Sequence, residues 1–222
     1  MITVNVNNTK WSIPDRITIK EWVALQKWDI TQESHWAYII HEVIQIPLED
    51  LQDAEEESMQ LFIGFMIGAI NKRTLKHKPN FNTLNFGKFV DLDCFMSLGV
   101  EKHIDDILEI LEVNTPWSDE ALAIIELYIK WRSTIYKQYK TLFGLDDKDF
   151  DDIDTDEVRR FDPKDVSRAW YQVIVDLALD DVLKMDLITD EPLHKILTFL
   201  QIKKEKAVKE AFETRKIINK QR

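Results

Sequence analysis

The sequence predicts a mainly α protein: a helical body with a short N-terminal β-hairpin, an acidic linker and a small C-terminal helical module. Three observations predict it. Apolar residues recur at helical spacing along most of the chain. Five Gly and six Pro in 222 residues are few for the many turns of an all-β fold. The one stretch that reads as strands is the N-terminus, where ITVNV and WSIP flank the Asn-rich turn NNTK.

Taken in order, Thr18 and Glu21 form a capping box that starts a helix running to about Trp28. Thr31 is the expected cap of the next helix. Its apolar residues Trp36, Ile39, Ile40, Val43 and Ile44 share one face, and Pro47 follows its end. A short helix over Leu48 to Ala54 leads to a third, with Met59, Phe62, Ile63, Met66, Ile67 and Ile70 on one stripe. KRTLKHKPNFNT, residues 72–83, is a polar loop. Helices follow over Phe86 to Met96, with Gly99 as stop, and around Ile104, Ile107, Leu108 and Leu111. Thr115-Pro116 or Ser118 opens the longest helix, whose stripe of Ile124, Tyr128, Trp131, Ile135, Tyr139 and Leu142 continues to Gly144. Asp162-Pro163 opens a helix through about Lys184, and Thr189 or Asp190 opens the last one. The expected layout is a body at 1–145, a linker at 146–161 and a C-terminal module at 162–222.

Composition narrows the function classes. The net charge is −11, but residues 203–222 hold eight basic residues against three acidic, a local +5 that leaves −16 for residues 1–202. An acidic body repels phosphates over most of its surface, which argues against a nucleic-acid partner. Cys94 is the single cysteine, so no intrachain disulfide is expected and a reducing compartment is the natural reading. MITVNVNNTK lacks the charged and apolar regions of a signal peptide. The most apolar window, LFIGFMIGAI at 61–70, spans roughly 15 Å as a helix, half a bilayer core, so no membrane role is expected.

DDKDFDDIDTDE, residues 146–157, carries eight carboxylates. Asp147, Asp149 and Asp151 match the first ligand positions of an EF-hand loop, but Asp152 stands where its glycine belongs and Val158 where its closing Glu belongs. A solvated linker is therefore expected, and no metal. His35, His41, His77, His103 and His194 show no metal-ligand spacing, and no nucleophile elbow or glycine-rich phosphate loop is present. Neither catalytic residues nor a cofactor are expected, and Cys94 reads as a small core residue. Gly64-x-x-x-Gly68 reads as tight internal packing, with self-association left open. Two groups are candidates for partner binding: Trp11, Trp22 and Trp28, as core residues or the lining of a groove, and the basic tail with Lys203, Lys204, Lys206, Lys209, Phe212, Arg215 and Lys216.

Two stretches also carry a resemblance. WSIPDRITIKEWVALQKWDI, residues 11–30, with the later Ile46-Pro47 break, resembles the opening of small cytoplasmic tail-assembly chaperones of tailed bacteriophages. NTLNFGKFVDLDCFM, residues 82–96, resembles a T-F-G-x-F-I-D-L segment of phage tail proteins. The resemblance implies a non-enzymatic protein that binds the helical tape-measure protein, or another tail or baseplate protein, in the host cell cytoplasm during tail assembly. The rival expectation from the same resemblance is a structural subunit of a baseplate or tail that stays in the virion.

Overall fold

The computed structural model describes residues 2–6, 9–52, 54–144 and 163–220. The fold is mainly α, with an N-terminal hairpin in which Ile2–Val6 (β1) pairs antiparallel with Thr9–Ile13 (β2), Ile2 opposite Ile13 and Val6 opposite Thr9. The described chain divides into two compact units, Met1–Pro79 with Leu111–Leu127, and Asn80–Ile110 with Tyr128–Arg222.

In the first unit, the Thr18 hydroxyl accepts from the Glu21 amide at 3.2 Å while the Glu21 carboxylate accepts from the Thr18 amide at 2.6 Å. That reciprocal cap starts α1, Ile19–Leu25. The helix stops short of Trp28 because the amides of Gln26, Lys27 and Trp28 turn back to carbonyls three residues earlier. Thr31 does not cap α2, Glu33–Ile44: its hydroxyl donates to Asp29 Oδ1 at 2.6 Å, and Gln32 occupies the cap position. Helix α2 ends at Gln45 in the left-handed conformation (φ 65°). Helices α3 (Leu48–Gln52) and α4 (Glu56–Asn71) follow. Ile13, Ile17, Leu25, Ile39, Ile40, Val43, Phe62 and Met66 form the core of this unit.

Arg16 ties the hairpin end to the start of α7, Ser118–Gln138. Its guanidinium donates to Asp119 at 2.6–3.1 Å and lies over the Trp117 ring at 4.6 Å. The Ser118 amide and hydroxyl both donate to the Ile17 carbonyl at 3.0 Å. Asp119 is held below its ordinary pKa of 3.8: burial opposes ionisation, and hydrogen bonds from Arg16 and Thr74 with the charges of Arg16 and Lys72 outweigh it.

The second unit is built on α5, Phe86–Leu98, capped by the Asn85 side chain at the Lys88 amide (2.8 Å). Gly99, at φ 115°, ends it where a side chain would be strained. Helix α6 (Val100–Ile110) kinks at His103, and α7 from Tyr128 onward belongs to this unit. The expected run to Gly144 breaks at Tyr139, leaving α8, Lys140–Phe143. Helix α9 starts at Pro163 as expected but ends at Ala178, six residues early; α10, Val182–Thr189, and α11, Leu193–Lys220, complete the unit. Phe86, Phe89, Ile135, Trp170, Leu193 and Leu197 share one buried cluster. Gly87 sits so close to Thr189 that an added Cβ would lie 2.9 Å from the Thr189 Cβ.

The division expected at 146–161 is therefore corrected. Helices from 163–220 share a core with α5 and the second half of α7, because Trp170 and Leu197 fill the space beside Phe86 and Phe89. Neither 1–145 nor 162–222 is a unit by itself. The acidic stretch 146–157, with its linker reading and its EF-hand register, lies outside the described residues. No helix among the described residues is long and apolar enough to cross a membrane.

Candidate functional site

In the first unit, α4 buries Phe62, Ile63, Met66 and Ala69 on one face. Its opposite face carries Leu61 and Phe65, 54 % and 38 % exposed, with Gly64 and Gly68 between and beyond them. A Cβ added at either glycine would meet nothing within 4 Å. The reading of Gly64-x-x-x-Gly68 as internal packing is thus corrected: among the described residues no helix rests on it. The spacing 61, 64, 65, 68 makes a straight apolar ridge with a flat floor, along which another helix backbone can lie close.

Trp11, Trp22 and Trp28 are half-buried and pack against the core of this unit. Trp28 stacks on Tyr38 at 4.8 Å and meets His35 edge-on at 5.5 Å, while its buried indole N–H finds no acceptor among the described residues. Two carboxylates at the start of α7 are taken up by cations, Asp119 by Arg16, and Glu120 by Lys76 at 3.4 Å.

The second unit holds a buried polar network that sequence reading missed. The Asp93 carboxylate pairs with Arg132 and accepts from the Tyr136 hydroxyl at 2.8 Å and the Trp170 indole N–H at 2.6 Å. Arg132 also donates to the Tyr136 oxygen at 2.7 Å. Burial works against the guanidinium charge, but Asp93 and the neighbouring Tyr136 and Tyr128 outweigh it and raise the Arg132 pKa. Burial first, then the Asp93 charge, raises the Tyr128 and Tyr136 phenols. Arg132, Tyr136 and Trp170 all donate to this one carboxylate, which makes the network a fastener of α5, α7 and α9. Cys94 is half-buried beside it, its thiol pKa raised mainly by burial. His103 stacks on Phe95 at 4.8 Å and pairs with Asp106. No group of three or more His, Cys, Asp or Glu side chains among the described residues is placed to hold a metal ion.

Two surfaces of this unit stand out. At the α9–α10 turn, Leu179, Val182, Leu183 and Leu187 are between 68 and 82 % exposed. The turn is a Schellman-type ending: the Asp180 amide donates to the Val175 carbonyl at 3.2 Å. Leu179 occupies the left-handed position that glycine normally takes (φ 56°), and Asp180 follows at φ 60°. A left-handed leucine costs roughly 1–2 kcal/mol. Asp181 caps α10 at the Leu183 amide, and hydrogen bonds from Lys184 and Leu183 lower its pKa. The sequence signal for this break was present as Asp180-Asp181 before VLKM, an N-cap pattern inside what reads as one helix.

The second surface is α11. Leu193, Ile196 and Leu197 are buried in the core, and the Lys204 ammonium donates to the Leu142 carbonyl at 2.9 Å. An open groove of about 240 Å³ runs there between Leu142, Val173, Leu177, Leu200 and Lys203. Beyond it, every described side chain from Glu205 to Lys216 is exposed. Of the expected partner-binding residues, Lys203, Lys204, Lys206, Lys209, Phe212 and Lys216 are collected on this helix, Lys216 lying over the Phe212 ring at 4.4 Å. Arg215 is on the same helix with its side chain outside the described set. The tryptophan group and the basic group belong to different units.

No family model, curated protein or solved structure matches this chain.

Proposed function

We propose that this chain is a non-enzymatic tail-assembly chaperone that holds the helical tape-measure protein of a tailed phage in the host cytoplasm. The observation that supports it is the α4 ridge: Leu61 and Phe65 face solvent beside two glycines that leave the helix backbone open. A client helix with its own apolar stripe gains most where backbones approach closely and aromatic and aliphatic side chains flank the seam. The acidic charge of residues 1–202 keeps such a complex soluble.

The test is co-expression with the long helical client encoded in the same phage. The expected result is that the client becomes soluble and co-purifies, and that Phe65→Glu weakens capture roughly 30-fold, the effect of losing one interface anchor. Unchanged client solubility, or unchanged capture by Phe65→Glu, would remove the support. Mass spectrometry of purified virions separates the rival: abundant peptides of this chain there would make it a structural subunit of the tail or baseplate.

A further inference from the structure

The α9–α10 patch and the end of α11 are opposites in charge and alike in apolar content. Residues 176–191 hold six acidic side chains against the single Lys184, a net −5 around Leu179, Leu183 and Leu187. Residues 203–222 carry a net +5, with Val208 and Phe212 exposed at i, i+4 spacing. Each surface lacks what the other supplies: the patch has aliphatic side chains in a carboxylate rim, and the helix has an apolar pair in an ammonium rim.

Both features are left uncovered among the described residues. Leu179 is held in a backbone conformation that glycine would adopt with less strain, and its side chain is in water. The α11 end from Glu205 has no buried side chain among those described, whereas helices of that length are marginal without packing. Within one chain α11 runs beside α9 where Lys203, Lys204 and Ala207 line a groove with Asp176 and Leu177, yet Leu183, Leu187, Val208 and Phe212 all stay more than half exposed. Helix α11 is continuous from Leu193, four residues after the end of α10, and at 1.5 Å per residue it carries Phe212 about 29 Å along its axis.

We propose that the α9–α10 patch seats the basic half of α11 from a second copy of the chain, a head-to-tail contact between protomers. The apolar core of the contact is Leu183 and Leu187 against Val208 and Phe212. The rim sets Asp180, Asp181 and Asp186 against Lys206, Lys209 and Lys216, so association weakens as salt rises. Such a contact joins unlike surfaces, so it either closes reciprocally as a dimer or continues into a chain of copies.

The test uses the full chain in sedimentation equilibrium, without any client, so it stands apart from the chaperone reading. The expected result is a mass above the monomer at low ionic strength that falls as salt is added. Leu183→Glu/Leu187→Glu and Lys206→Glu/Lys209→Glu are each expected to weaken association at least about tenfold; all four side chains are exposed, and circular dichroism checks that both variants remain folded. Mixing the two variants is decisive, since each retains the half the other has lost: the mixture is expected to form a heterodimer. A monomeric parent at every concentration and salt, a mixture that stays monomeric, or association that survives removal of 203–222 would each overturn the proposal.

Discussion

Replacing Asp93 by Ala leaves Arg132 buried with only the Tyr136 oxygen for a hydrogen-bond partner among the described residues, and strips acceptors from Tyr136 and Trp170. Breaking a buried ion pair from one side costs about 3–5 kcal/mol, because the remaining charge is uncompensated. The two sides of this pair are unequal. In Arg132→Met the Asp93 carboxylate still accepts from Tyr136 at 2.8 Å and Trp170 at 2.6 Å, so only one charged partner is lost, about 1.5–3 kcal/mol. Removing both is expected to cost less than the sum by about 1–3 kcal/mol, since Asp93→Ala/Arg132→Met strands no charge. The assay is native-state hydrogen exchange of α5 and α9 amides, which reads the second unit alone. Asp93→Ala is expected to lower the protection of the slowest amides by roughly 2.2 to 3.7 powers of ten at about 1.36 kcal/mol each. A loss under tenfold, or an Arg132→Met as damaging as Asp93→Ala, would refute the claim that one carboxylate fastens three helices.

Gly64→Ala/Gly68→Ala is expected to raise stability by about 0.8–1 kcal/mol per site, since helix propensity improves and nothing crowds the new Cβ atoms. A lower urea midpoint would mean that the ridge is covered. Leu179→Gly is expected to hold or raise stability by up to about 1 kcal/mol in thermal unfolding, as relief of left-handed strain exceeds the added chain entropy. Asp119 titrates below 3.8 when folded, so its contribution is full above that value and is lost as pH falls through the folded pKa. Asp119→Asn is therefore expected to cost about 1–3 kcal/mol at neutral pH, with the parent and variant urea midpoints converging in acid.

What could be read from the sequence was local. Thr18 and Glu21 are three residues apart, and Pro163 fixes its own backbone, so both helix starts appear where expected. Thr31 failed as a cap because Asp29, two residues away, competes for the same hydroxyl. The Leu179–Asp181 break was hidden because the apolar stripe continues across it, and stripe continuity outweighs a cap signal in any periodicity argument. The division of the chain was misread for a different reason: composition shifts at the acidic stretch, whereas Trp170 and Asp93 meet across 77 positions that no local pattern connects. Of the candidate site, the basic helix was visible as charge. The exposure of Gly64 and Gly68 was not, because an amphipathic pattern says that a face is small and apolar without saying whether anything covers it.

The interleaving of the two units has a consequence for how the protein is made. At about 5–20 residues per second, the 77 positions separating Asp93 from Trp170 correspond to roughly 4–15 seconds of synthesis. Throughout that interval Phe86 and Phe89 wait on an α5 that has no α9 to cover it, and once Arg132 is made its pair with Asp93 is still short of the Trp170 donor. A fragment ending at residue 145 would freeze the nascent chain in that state, which makes it a poor choice for expression and a ready substrate for cellular folding factors.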